Sequence, residues 1–237
     1  MIKKTLLFIV EGENDRKEIF AMLKTPYLHT IIDKYVIEFD VVKNDITAMS
    51  GIDCNNIVHA VGKRITSWIR NSTGTKHSDI EMVIHIIDTD AAFIPDSCII
   101  NDGICDFRYY DDSIKTLNVR KAMQRNKAKS EKLNRLIHTN EICNIPYQVF
   151  FVSCNMDHVL FNNRNMPDDK KGASADWFVR QCKNNPDIVL GTIFNKNICL
   201  NATYIESWKW IQQDIRSLQR HTNFNLFLQE MSSNSFQ

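Results

Sequence analysis

The chain has few of the residues that loosen or staple a fold. Seven glycines and five prolines among 237 residues leave no room for long flexible linkers. A membrane helix needs roughly 20 consecutive apolar residues, and the longest purely apolar runs here are about five residues. No membrane association is therefore expected. The cysteines Cys54, Cys98, Cys105, Cys143, Cys154, Cys182 and Cys199 are odd in number and contain no CxxC pair, and no histidines show HxxxH or HExxH spacing. That pattern argues against a zinc site and against a compact disulfide framework. The absence of GxxxxGK[ST] excludes a P-loop NTPase. An excess of one charge is missing too. Lys plus Arg is 29 against 28 for Asp plus Glu, a formal net charge of +1. No global basic field advertises a nucleic-acid partner, which a local patch has to meet instead.

Hydrophobic residues at 43% and charged residues at 24% suit one large globular domain, or one domain with an appendage. The start, Met1-Ile2-Lys3-Lys4, is like that of a signal peptide. The apolar stretch Thr5 to Val10 is short, however, and runs into Glu11-Gly12-Glu13 without a small-residue cleavage site. It reads as a first β-strand. Reduced thiols and a cytoplasmic location are the matching expectation. Self-association as a homo-oligomer stays open.

Apolar periodicity organises the rest. Asn14 to Lys24 has helical spacing, with Ile19, Phe20 and Leu23 on one face and Pro26 closing it. Tyr35 to Val42 is β-branched and aromatic, as in strands. Residues 53–70 return to helical spacing behind Asp53, a candidate cap. Ile80 to Ile87 is a second strongly apolar strand. Residues 91–116 look irregular, 118–138 form a long helix, and Tyr147 to Val152 is another buried strand. Short helices are predicted near Asn155 and over Ala173 to Lys183. Residues 186–200 are ambiguous. Ile205, Trp208, Ile211, Ile215 and Leu218 predict one amphipathic helix, and the tail from Ser232 should fray. Alternating strands and helices indicate an α/β fold with a parallel sheet, whose ligands bind beyond the carboxyl ends of the strands.

Two of those strand ends carry acids. The first runs into Glu11-Gly12, and the strand over Ile80 to Ile87 runs into Asp88-Thr89-Asp90. Asp88 and Asp90 are two apart, so in extended backbone they share a side. Mg²⁺ or Mn²⁺ takes such oxygen ligands. A Glu-Gly alone is commonly a turn and a DxD alone commonly a loop, but their joint placement on two buried strands is more specific. Gly12 lets the chain turn tightly and a phosphate approach the backbone.

The stretch Leu7-Phe8-Ile9-Val10-Glu11-Gly12-Glu13-Asn14-Asp15 and the stretch Val83-Ile84-His85-Ile86-Ile87-Asp88-Thr89-Asp90 resemble the two acidic motifs of Toprim domains. The resemblance covers residue 5 to about 155. It is nearest to the small stand-alone Toprim proteins of bacterial abortive infection and anti-phage defence, similar to the overcoming-lysogenization-defect (OLD) nucleases. Ser153-Cys154-Asn155-Met156-Asp157-His158 occupies the place of a further Ser-Asn-containing element in that group. Ala92 stands where topoisomerases and primases have a third acid, which argues against those branches.

The resemblance implies a Toprim-like, mostly parallel sheet with helices on both faces over residues 1–160; residues 161–237 carry no motif of that family and are expected to be a mainly helical extension packed on it. It implies a metal-dependent nuclease acting on DNA or RNA, and it allows a partner ATPase of a defence system. Glu11 is then a metal ligand or a general acid/base near the scissile phosphate. Asp88 and Asp90 hold Mg²⁺ or Mn²⁺. Asp157 is the first candidate for a further ligand, with helix capping as its alternative. Asp15 follows, with a favourable first-turn charge as its alternative. Lys170-Lys171 could supply a catalytic lysine or simply an exposed charged loop.

Asn118 to His138 carries seven basic residues against the single acid Glu131. Lys121, Arg125, Lys129 and Lys132 fall on one helix face and could track a phosphate backbone. Alternatively the helix is solvated, with Leu133, Leu136 and Ile137 packed inward. His158, beside Asp157, is a candidate substrate contact, whereas His85 suits a packed, hydrogen-bonded role. Trp208 and Trp210 suit helix core and surface. A glycosyltransferase would use a strand-end DxD but leaves Glu11-Gly12 unexplained. A haloacid-dehalogenase phosphatase normally ends its first strand in aspartate, where this chain has Glu11. A catalytically silent nucleic-acid binding or sensing module is the remaining alternative.

Overall fold

The computed structural model describes residues 3–43, 45–103 and 107–233, so Cys105 and the tail beyond Ser233 lie outside the described residues. In chain order the elements are β1 (Thr5–Val10), α1 (Glu13–Leu23), α2 (His29–Lys34), β2 (Val36–Val41), α3 (Ile57–Asn71) and β3 (Ile80–Asp88). Three two-residue strands follow, β4 (Ile99–Ile100), β5 (Arg108–Tyr109) and β6 (Ile114–Lys115), then α4 (Val119–Ile137), β7 (Glu141–Ile142) and β8 (Ile145–Val152). The chain continues through α5 (Met156–Phe161), α6 (Asp168–Asn184), α7 (Ile188–Gly191), α8 (Tyr204–Ile211) and α9 (Phe224–Ser233).

The central sheet has the order β2-β1-β3-β8-β7, parallel except for β7. This is a mixed α/β fold with a mostly parallel sheet. β1, β3 and β8 are buried almost throughout, which explains their unbroken apolar runs. Alternation along β1 divides the core. Leu6, Phe8 and Val10 face a layer that includes Ile19, Phe178 and Phe224. Leu7 and Ile9 face the opposite layer with Ile65, Leu136 and Trp208. Residues from both α6 and α9 join the first layer, and α8 joins the second.

Several boundaries differ from the sequence expectation. The amphipathic pattern after residue 204 is broken: α8 stops at Ile211, Asp214 takes a left-handed φ of 50°, and Arg216–Leu218 is a 3-10 turn. Ser232 continues the helix α9, not foreseen from the sequence. α6 begins at Asp168, five residues before Ala173. Residues 91–116 contain a small sheet ordered β4-β6-β5. Asp53 accepts from the Asn55 and Asn56 N–H groups in the turn that leads into α3. β7 and β8 are joined by Cys143 and Asn144, both left-handed at φ 55° and 58°, a two-residue hairpin turn made without glycine. Among the described residues no helix is long and apolar enough to cross a membrane.

Candidate active site at the strand ends

From β1 the chain crosses to β2 on one side and returns to β3 on the other. The carboxyl ends of β1 and β3 therefore flank the topological switch point, where open α/β sheets form their crevice. Glu11 and Asp88 stand on its two lips. The Glu11 Oε1 accepts the Asp88 N–H at 3.1 Å, and Asp88 Oδ1 accepts the Met156 N–H of α5 at 3.2 Å. A cavity of about 670 Å³ opens here, lined by Glu11, Asp15, Glu18, Asp88, Asp90 and Asp157 among others. A groove of about 760 Å³ between α1 and α6 is larger, but it is apolar-floored around Phe20 and Val179 and carries no such acid cluster. The acid-lined cavity is the candidate site.

The acids are poorly compensated. Burial, then repulsion from Asp45, raises the Glu11 carboxyl well above its usual range. Burial and the neighbouring Glu11 and Asp15 do the same to Asp88. Burial and Asp157 push Asp15 up to about 7, while burial, Asp15 and Asp157 push Glu18 up to about 9. Burial also raises Asp157, with Lys171 opposing. The cap of α5 is Asn155, whose side chain accepts from the His158 N–H at 2.9 Å, which leaves Asp157 free to line the cavity.

Asp90 behaves differently. It lines the same cavity, but its Oδ2 accepts from Lys129 at 2.6 Å and its Oδ1 from the Tyr109 hydroxyl at 2.8 Å. Burial pushes Asp90 upward, and Lys129 and Arg125 outweigh it, so the carboxyl lies below its usual range. Asp90 and Ala91 are both left-handed, at φ 49° and 54°. Helix α4 holds this uncommon turn: Arg125 donates to the Asp90 carbonyl at 2.6 Å and Asn126 to the Ala91 carbonyl at 3.2 Å. The three expected acids thus line one cavity, Glu11 and Asp88 joined by a hydrogen bond and Asp90 already engaged by Lys129 and the Tyr109 phenol.

The basic face of α4 needs correction. Its four residues do not form an exposed stripe. Lys129 is 0% exposed and bridges Asp45 and Asp90, each at 2.6 Å. Lys132 is buried and donates to the Thr47 and Met49 carbonyls. Arg125 lies over the Phe107 ring at 4.4 Å. Lys121 alone of the four is exposed. The spacing marked a real face, but buried oxygens turn it inward. His158 is corrected likewise: it is buried, its Nδ1 lies 3.1 Å from the Ser153 carbonyl, and burial then Arg164 lower its pKa to about 4, so it does not reach the cavity. Gly12 caps α1 with extended backbone, φ −157°, and a Cβ there would meet Asp15 Oδ2 at an ordinary 3.7 Å. No tight turn requires it. Lys171 lines the cavity and pairs with Asp168 at 3.0 Å, whereas Lys170 is exposed. His85 is buried against the Tyr147 hydroxyl at 2.8 Å, as expected.

Sequence reasoning missed Glu18, Tyr109 and Asp45. Glu18 sits three residues beyond Asp15 and beside the buried Ile19, a position where a helical wheel puts it at the core margin. Asp45 and Tyr109 lie in irregular chain and carried no signal.

Among the described residues, no three His, Cys, Asp or Glu side chains are grouped to hold a metal ion by themselves. The donor chemistry still suits one. Buried, mutually repelling carboxylates are hard oxygen ligands short of positive charge, and Mg²⁺ commonly takes one or two such groups while keeping waters and substrate phosphates. The set fits that kind of site and not an all-protein cage. No family model, curated protein or solved structure matches this chain.

Proposed function

We propose that the protein is a Mg²⁺- or Mn²⁺-dependent phosphodiesterase that hydrolyses DNA or RNA, with a Toprim-like core over residues 1–160 and residues 161–237 as a helical extension. The observation that carries the reading is the joining of Glu11 and Asp88 from adjacent parallel strands at the switch point. Glu11 and Asp88 would hold the cation, with Asp157 and Asp15 on the adjoining walls. When bound, the cation neutralises charge on the phosphodiester and acidifies a water. Burial, then Asp45, raises the Glu11 carboxyl above its usual range, so it keeps a proton to higher pH than an exposed glutamate, as a general acid/base requires. Lys171, on the cavity wall, is placed to meet a phosphate oxygen. Lys129 keeps Asp90 ionised and ties the left-handed turn after β3, which shapes the crevice, to α4. A setting in anti-phage defence, with a partner ATPase, follows from the motif resemblance alone.

A second reading, a silent binding or sensing module, is favoured by one observation: Asp90, the second acid of the DxD, is engaged by Lys129 and Tyr109. One experiment separates the two. Purified protein is incubated with labelled DNA and tRNA in Mg²⁺, Mn²⁺ or EDTA. Cleavage that EDTA abolishes, and that Asp88→Asn or Glu11→Gln lowers by orders of magnitude while the fold melts normally, supports the enzyme. Mn²⁺ should raise the melting temperature of the wild type and not of Asp88→Asn. Unaltered cleavage and metal response in both variants defeats the assignment.

A further inference from the structure

The acidic floor of the cavity faces a basic roof. Residues 107–112 and 162–167 approach each other across its mouth. Asn165 ties them together: its Oδ1 accepts the Tyr109 N–H at 3.0 Å and its Nδ2 donates to the Tyr109 carbonyl at 2.8 Å. Asn155, at the start of α5, donates to the Arg164 carbonyl at 2.9 Å and so fixes the second segment to the end of β8. Arg164 lines the cavity and bonds Asp111 through Nη1, while its Nε is buried with no hydrogen-bond partner. The Arg108 side chain also lines the cavity and makes no hydrogen bond or ion pair among the described residues.

A buried guanidinium N–H left unpaired is costly, and the group that satisfies it best is a charged oxygen in a planar or tetrahedral array. Arginine presents a fork matched to phosphate, which a lysine at the same place does not. The floor repels a free anion. The anion that fits is therefore one whose neighbouring group already meets the cation on the floor. A polynucleotide has that form, with phosphates repeated along one chain.

We propose that Arg108 and Arg164 form a subsite for the phosphate next to the one being cut, so that the substrate carries at least two phosphates in series. A single phosphoester fills the floor and leaves the roof empty. This rests on the phosphodiesterase reading for what happens at the floor, whereas occupancy of the roof needs no cleavage.

The test is binding, measured by calorimetry with Ca²⁺ present, of the thymidine dinucleotide TpT, which has one phosphate, and the trinucleotide TpTpT, which has two. The wild type should bind TpTpT about tenfold or more tightly, the worth of one charge-assisted contact. Its affinity should also fall more steeply with salt, by about 0.7 in the log–log slope per added phosphate contact. The step and the extra slope should vanish in Arg108→Gln/Arg164→Gln and return in part in Arg108→Gln/Arg164→Lys. Arg108→Gln alone, at an exposed position, should shrink the step without lowering the melting temperature. Equal binding of the two ligands by the wild type, no binding of either, or a step that survives in the double variant overturns the subsite. A step without cleavage in Mn²⁺ refutes the phosphodiesterase reading and leaves the subsite standing. Cleavage without a step does the reverse.

Discussion

Glu18 offers a test of the cavity's electrostatics that needs no substrate. It is 2% exposed, and burial, Asp15 and Asp157 raise its pKa from 4.5 to about 9. At neutral pH the folded protein keeps this proton and the unfolded chain releases it. Because the native state binds the extra proton, stability falls as pH rises from 4.5 to about 9. Each pH unit inside that window removes about 1.4 kcal/mol, so about 3 kcal/mol is lost by pH 7. Glu18→Gln cannot ionise and escapes the loss. Relative to its value at pH 4.5, the stability of the variant should therefore gain about 3 kcal/mol on the wild type by pH 7. In a chain of this length that is about 6–12 °C in melting temperature. Asp15 adds its own slope up to about 7 in both proteins. Urea unfolding in EDTA, at constant ionic strength from pH 4.5 to pH 9, reads the difference. Parallel stability curves for variant and wild type would show that Glu18 is already ionised in the native state, and the account of a poorly compensated acidic floor would fail with it.

Lys129→Met strands Asp45 and Asp90 without their buried cation and should cost about 3–5 kcal/mol in urea unfolding; a loss below 1 kcal/mol would mean the triad is solvated. Lys121→Glu, on the exposed side of α4, should leave stability within about 0.5 kcal/mol, whereas Lys132→Glu, facing the Thr47 and Met49 carbonyls, should yield no folded protein, as circular dichroism will report. His85 and His158 should stay neutral down to about pH 4 because burial disfavours their charged forms, so both withdraw stability as pH falls below 6.5. Imidazole resonances followed by NMR should show it, and a midpoint near 6.5 for either would place that ring in water.

The three buried strands of the central sheet were legible because a parallel strand buried on both faces needs an unbroken apolar run, and β1, β3 and β8 have one, whereas the two-residue β7 was not. Glu11 and Asp88 were legible for a related reason: each is the first acid after such a run. Direction was not legible. The periodicity of α4 placed Lys121, Arg125, Lys129 and Lys132 on one face, but lysine on a helix face points outward by default, and only the tertiary position of Asp45 and Asp90 reverses that. The same holds for Asp90, whose DxD partner extends the strand while Asp90 itself turns left-handed toward Lys129. The roof residues carried no signal, since two-residue strands such as β5 have too little length to show a period. The 3-10 turn after Asp214 was hidden because its apolar residues keep helical spacing across the break.

The first strand and the last helix share one aromatic cluster. The Phe8 ring meets those of Phe224 and Phe227 edge-on, at 6.4 and 5.8 Å between centroids. A ribosome emits β1 long before α9, and β1 pairs with β3 only after some seventy further residues have appeared, a contact between distant parts of the chain that forms slowly. By then α1, α2 and β2 can cover part of Phe8, through Ile19, Met22 and Phe39, but the side that Phe224 and Phe227 pack against waits for α9. The acids of the cavity are likewise scattered until α5 and α6 arrive with Asp157 and Lys171. Synthesis therefore runs most of its course with this layer incomplete and no assembled site, and apolar surface of the strand made first stays open until Phe224 and Phe227 close over it.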